Sequence, residues 1–144
     1  MARIYSKINP KIKYTCFDTN YVNLLQYYFL KSNNLNVGFT RLNRFYLTSD
    51  INKINDNYDL FIANWSLSEV PLNFRKKIIP TILKSKYILI SFQENFEDIN
   101  NLKYFYKLKS NLSKKFRISI IKNKYYKGNF LFKQTHYFLI GKKK

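Results

Sequence analysis

The chain has 144 residues, 46% of them apolar and 19% aromatic, and its 26 Lys and Arg against 8 Asp and Glu give a formal charge of +18. That length suits one domain with a core and excludes two ordinary ones, and apolar residues gathered in short separate blocks exclude disorder. One cysteine and one histidine exclude an internal disulfide and a zinc site of the usual kind.

The charge on its own points to nucleic acid, an anionic membrane surface or an acidic substrate. Lys, Asn, Ile, Tyr and Phe are enriched together, however, as an A+T-rich coding sequence would also produce. The scarcity of acids has no such origin, so a polyanion-binding reading stands. No apolar run reaches the ~20 residues of a membrane span, and the first residues lack the apolar centre of a signal peptide. A cytoplasmic location is expected, and a lone Cys16 fits a reducing compartment.

Residues 1–11 read as an irregular lead-in, 12–141 as one α/β body and 142–144 as a basic tail. The first strand is 13–17 (KYTCF), ending at Asp18, and Asp18 and Thr19 are good helix starters. The helix over 20–33 carries Tyr21, Leu24, Leu25, Tyr28 and Phe29 at helical spacing, which predicts that these five face the core. A second strand, 44–47 (RFYL), stops at Thr48, Ser49 and Asp50, and a loop of Asn and Asp follows over 52–57.

The stretch 58–71 (YDLFIANWSLSEVP) is the centre of the chain. Leu60, Phe61, Ile62 and Ala63 leave no room for amphipathicity, so they predict a strand buried on both faces. Asn64, Trp65, Ser66, Ser68 and Glu69 crowd the point where that strand hands over to a helix, where open α/β sheets place ligands. Ser66 and Glu69 have capping-box spacing, but Pro71 suits a first helical turn and moves the helix start there. Phe74, Ile78 and Ile82 mark its buried face, and Pro80 predicts a kink or an early end.

Residues 87–92 (YILISF) predict another buried strand, ending at Gln93 and Glu94. Asp98 can cap a helix with Ile99, Leu102, Phe105, Leu108 and Leu112 inward. The segments 116–121 and 130–140, joined through Gly128 and Asn129, predict an antiparallel hairpin. The order is β, α, β, β, α, β, α, β, β: parallel strands with right-handed helical crossovers, closed by a C-terminal antiparallel hairpin.

This order resembles the end of a class I S-adenosylmethionine-dependent methyltransferase. YTCFD over 14–18 with the following helix is similar to the second strand of that Rossmann-like fold and its acidic end; 58–71 is similar to the fourth strand and its turn. YILISF resembles the fifth strand and THYFLIG over 135–141 the last, and the pairing of segments is most similar to putative sugar O-methyltransferases. The resemblance implies that Asp18 accepts hydrogen bonds from both ribose hydroxyls of S-adenosylmethionine, as one carboxylate can. It implies further that Ser49 and Asp50 border the adenine and that Asn64, Trp65 and Ser66 lie near the methionine end, while Glu69 orders the turn. It names no catalytic base; Glu69, Glu94 and His136 are the candidates.

The residues also have plainer readings: Asp18 as an N-cap, Asn64 as a loop amide, Trp65 as a core-lining indole, His136 and the aromatics Tyr104, Phe105 and Tyr106 as structural. The family's first strand and Gly-rich turn should precede Asp18 by about twenty residues. Gly38, Gly128 and Gly141 all lie downstream, so no Gly-rich cradle is present. The expectation is an incomplete methyltransferase sheet, a single partial domain over 1–144 from a truncated, split or interrupted gene. In the family the first strand lies between the second and fourth, so its loss exposes two strand edges. Such a fragment would be inactive alone, with a sugar or glycan acceptor and an N-terminal companion polypeptide as partners. The competing readings are a basic nucleic-acid-binding module and a non-catalytic partner subunit.

Overall fold

The computed structural model describes residues 2–124 and 135–144. The connector expected at Gly128 and Asn129 and the beginning of the strand expected at Phe130 lie outside the described residues. The fold is mixed α/β with parallel strands and an antiparallel C-terminal pair, and it divides into two compact units, Met1–Asn55 and Asp56–Lys144.

The first unit is built on a three-stranded parallel sheet of β1 (Tyr14–Phe17), β2 (Val37–Gly38) and β3 (Phe45–Thr48) in the order β1-β3-β2. Helix α1 (Ala2–Ile8) stands where the sequence predicts an irregular lead-in. Its Tyr5 ring lies 6.4 Å from Tyr14. Arg44 fastens the connection between α1 and β1, donating from Nε to the Ile12 carbonyl (2.8 Å) and from Nη2 to that of Asn9 (3.2 Å). A 3-10 turn (Ile51–Ile54) replaces the beginning of the predicted Asn and Asp loop, with Asp50 as its cap and Ile54 buried.

Helix α2 (Asn20–Ser32) forms where expected, capped by Thr19 rather than Asp18, but it turns a different face to the sheet. Asn23 and Leu30 are buried and Gln26 and Tyr27 half-buried, a spacing of one helical face, while Leu30 joins Val37, Phe45 and Leu47 in the core. Tyr21, Leu24, Leu25, Tyr28 and Phe29 are exposed instead, Tyr21 at 88%. The physical reason is polar: Asn23 Nδ2 donates to the Asp18 carbonyl (3.0 Å) and the Cys16 thiol donates to Gln26 Oε1 (2.6 Å), which fixes the roll of the helix on β1.

In the second unit β4 (Leu60–Asn64), β5 (Tyr87–Gln93), β8 (Phe116–Lys122) and β9 (His136–Lys143) form a sheet in the order β4-β5-β9-β8. β4 and β5 are parallel, and β9 is antiparallel to both β5 and β8. Helix α3 (Leu72–Lys84) starts after Pro71 as predicted, buries Ile78, Thr81 and Ile82, and continues through Pro80 to Lys84 instead of ending early. A two-stranded hairpin of β6 (Asn95–Phe96) and β7 (Ile99–Asn100) precedes helix α4 (Asn101–Leu112), so the cap is Asn100, whose side chain accepts from the Lys103 N–H (2.8 Å), and Asp98 sits in the hairpin turn. Phe105, Leu108 and Leu112 face inward as expected, and the Phe105 ring stacks on Phe92 at 4.1 Å.

Candidate functional site

In each unit the residues singled out by sequence sit at the carboxyl ends of parallel strands, the usual position for ligands in open α/β sheets. In the first unit the pair Phe17↔Thr48 ends the ladder of β1 and β3, so Asp18 and Ser49 leave adjacent strands at the same level. The Asp18 N–H reaches the Thr48 carbonyl (3.2 Å), and its Oδ1 accepts from the Thr19 N–H (2.8 Å). Asp18 is half-buried and therefore open to a ligand, and a carboxylate retains acceptor capacity beyond one backbone bond. The Ser49 hydroxyl donates to Asn20 Oδ1, tying the end of β3 to the start of α2. Asp50 Oδ1 accepts from the Asn52 N–H (2.9 Å), and Lys53 Nζ stands 3.9 Å from Oδ2, so this carboxylate also caps the 3-10 turn.

Beneath Asp18, Cys16 and Tyr14 lie on the core side of β1. Burial pushes the Cys16 thiol up to about 11, with the Asp18 charge adding to it, and pushes the Tyr14 hydroxyl up to about 12. Both are neutral packing groups at ordinary pH. An open depression of about 410 Å³ lined by Lys31, Asn34, Leu35, Asn36, Val37 and Asn43 is at the start of β2, the opposite end of the strands from Asp18.

In the second unit the site is the turn 64–71 and the strand ends around it. Asn64 Oδ1 accepts from the Ser91 hydroxyl (3.3 Å) on β5, and the Trp65 N–H donates to the Ser91 carbonyl (2.9 Å). Trp65 then leaves the strand with φ 61, in the left-handed region that costs a non-glycine residue about 1 kcal/mol or more. Such strain persists where the surroundings hold it. The indole is 41% exposed and lies 5.3 Å from the His136 ring, so it is a surface group and not a core-lining one. Ser66 is exposed at the crest of the turn.

Ser66 and Glu69 form no capping box, because the helix starts after Pro71 as expected; the N–H groups of Ser68 and Glu69 instead converge on the Trp65 carbonyl at 2.7 and 3.1 Å. The Ser68 hydroxyl is within 2.7 Å of that carbonyl and 2.8 Å of Gln93 Oε1, either of which its single proton can serve. Gln93 Nε2 donates to Glu69 Oε1 (3.3 Å), linking the turn to the end of β5. Of the candidate bases, Glu69 is held in this chain of contacts, Glu94 is at the start of the next connection, and burial lowers the His136 imidazole below its ordinary value, which favours the neutral form.

The residue that organises the turn escaped the sequence analysis. Arg75 on α3 has no exposed surface, and it donates from Nε to the Val70 carbonyl, from Nη1 to Asn101 Oδ1 and from Nη2 to the Ser68 carbonyl, each at 2.8 Å. Its guanidinium lies 4.7 Å from the Tyr104 ring centroid, an arrangement that compensates a buried cation. Asn101 Nδ2 completes the set by donating to the same Ser68 carbonyl (3.2 Å). The one signal in the sequence is an Arg in the first turns of a helix whose other cations are Lys, since a planar fork can hold several carbonyls at once.

No family model matches the sequence, and no curated protein matches it. Among the described residues no helix is long and apolar enough to cross a membrane, and no group of three His, Cys, Asp or Glu could hold a metal ion.

Proposed function

We propose that the chain is the C-terminal part of an S-adenosylmethionine-dependent methyltransferase acting on a sugar hydroxyl. The observation that carries this reading is the succession of parallel strands closed by an antiparallel pair, with a half-buried carboxylate at the carboxyl end of β1. Asp18 is the acceptor for the two ribose hydroxyls, Ser49 and Asp50 border the adenine, and Asn64, Trp65 and Ser66 serve the methionine end. The cofactor would supply an activated methyl group, and the chain's own part is to orient it and, through a base not yet assigned, to receive the acceptor's proton.

Asp18 suits the ribose, but among the described residues no glycine makes a close-approach turn for the cofactor: a Cβ on Gly38 would clash with the Asn43 side chain, and one on Gly141 would lie in ordinary contact with Ile88 and Ile118. The β1 and β4 edges each end a sheet, which supports a companion polypeptide that supplies the strand and the turn. Transfer to a sugar is expected only from the completed protein.

S-adenosylhomocysteine binding by the folded chain tests the reading by calorimetry. The expected result is weak saturable binding, unchanged up to about 0.5 M salt and reduced about tenfold or more in Asp18→Ala, the value of one charged hydrogen-bond acceptor. No saturable binding, or an Asp18→Ala affinity equal to that of the native chain, would contradict it. The charge of +18 favours a second reading, a polyanion-binding module, whose affinity for a nucleic acid would fall steeply over the same salt range.

A further inference from the structure

Among the described residues, the helices of the second unit cover one face of its four-stranded sheet only. Both β5 and β8 are antiparallel to β9, so β8 runs parallel to β5, and the connections β4-α3-β5 and β5-α4-β8 step the same way across the order β4-β5-β9-β8. Right-handed crossovers taken in one direction place both helices on one face. Side chains agree: Phe105 of α4 stacks on Phe92, and Arg75 of α3 lies 5.9 Å from that same Phe105 ring.

The register names the other face. It holds Leu60 and Ile62 of β4, Tyr87 and Leu89 of β5, Phe138 and Ile140 of β9 and Ile121 of β8, with the basic pair Arg117 and Lys142 at one end. Among these, Leu60 is 41% exposed, Tyr87 46%, Ile121 48% and Ile140 42%, and no helix of this unit lies over them among the described residues. Neighbouring parallel strands with near-continuous apolar runs are otherwise found with both faces covered.

We propose that this face docks an amphipathic helix with acidic flanks, presented by a separate polypeptide. A helix satisfies its own backbone and needs only an apolar stripe to lie on such a sheet, as α3 and α4 do on the other side. Four strands about 4.8 Å apart make a bed wide enough for a helix about 10 Å across. Charge chooses the partner: the charged residues of this face, Arg117 and Lys142, are both basic, and the four strands contain no acid. A second copy would set +18 against +18. The docking is independent of cofactor binding, so the failure of one leaves the other standing.

The test is fluorescence anisotropy of a labelled helical peptide of about 18 residues, Leu and Ile on one face and Glu along both flanks. It is titrated with the full chain at about 0.3 M salt, where distant charges are screened. Saturable binding is expected, weakened about tenfold or more in Ile140→Asp and in Ile121→Asp. Both sites are already half-exposed, so at least one variant keeps its fold by circular dichroism. Leu72→Asp, an equally exposed apolar site on α3, should bind as the native chain does. No saturation, or equal weakening by all three substitutions, overturns the proposal. So does a native dimer in light scattering that Ile140→Asp dissociates, since a second copy then covers the face.

Discussion

Arg75 shows how one residue can shape a site without touching its ligand. Its three donors reach Ser68, Val70 and Asn101, so the helix that follows the turn also holds the turn's path. Deleting the guanidinium takes this donor from the Val70 carbonyl and from Asn101 Oδ1, each worth about 1–3 kcal/mol, while the Ser68 carbonyl keeps Asn101 Nδ2. Arg75→Ala should therefore lose about 3 kcal/mol or more in urea unfolding, while Lys76→Ala, exposed on the same helix, should change it by less than about 0.5 kcal/mol. Equal and small effects would show that the turn holds itself. Trp65 is then strained by design of its surroundings: its N–H and carbonyl are both bonded, one to Ser91 and the other to the N–H groups of Ser68 and Glu69, which keeps a left-handed tryptophan in place.

At the level of elements, α2 separates two readings of one sequence. Its apolar residues surround most of the helix, so periodicity alone favours the larger stripe, Tyr21 to Phe29, over the one the core uses. If the observed roll is right, Leu30→Ala should cost about 2–5 kcal/mol and Leu25→Glu less than about 0.5 kcal/mol in thermal or urea unfolding. The reverse order would restore the sequence-based face. The strands 13–17, 44–47, 60–63 and 87–92 were legible because a short β-prone or apolar block has few other uses, but the burial expected on both faces of 60–63 is not observed: Leu60 is exposed, Phe61 and Ile62 are half-buried and only Ala63 is buried. Their ends were legible for the same reason, and that is why Asp18, Ser49 and Asn64 could be placed at strand termini from sequence. Other features were not legible. The roll of α2 depends on Asn23 and Gln26 finding partners on β1, and the hairpin before α4 depends on Glu97 adopting φ 49. The Arg75 network needs Ser68 and Asn101, which are 33 residues apart, to be brought together. None of these leaves a local pattern.

On the scale of the whole molecule, two sheets each carry a parallel strand at one end, β1 in the first unit and β4 in the second. A strand that ends a sheet invites another chain, and a sheet face that no described helix of the second unit covers adds an apolar surface to that invitation. A charge of +18 opposes self-association and leaves the edge available to a partner of opposite charge. The strand ends supply the proposed cofactor residues in both units, so the central claim is best tested on both together. The measurement is a two-dimensional amide spectrum of the uniformly labelled chain, titrated with S-adenosylhomocysteine. The expected result is that the amides of Asp18, Ser49 and Asp50 and those of Asn64, Trp65 and Ser66 shift with one common saturation curve, and that Asp18→Ala moves both sets together to about tenfold or more higher ligand concentration. Shifts confined to one set, or scattered over lysine-rich surface and lost in salt, would contradict the methyltransferase reading.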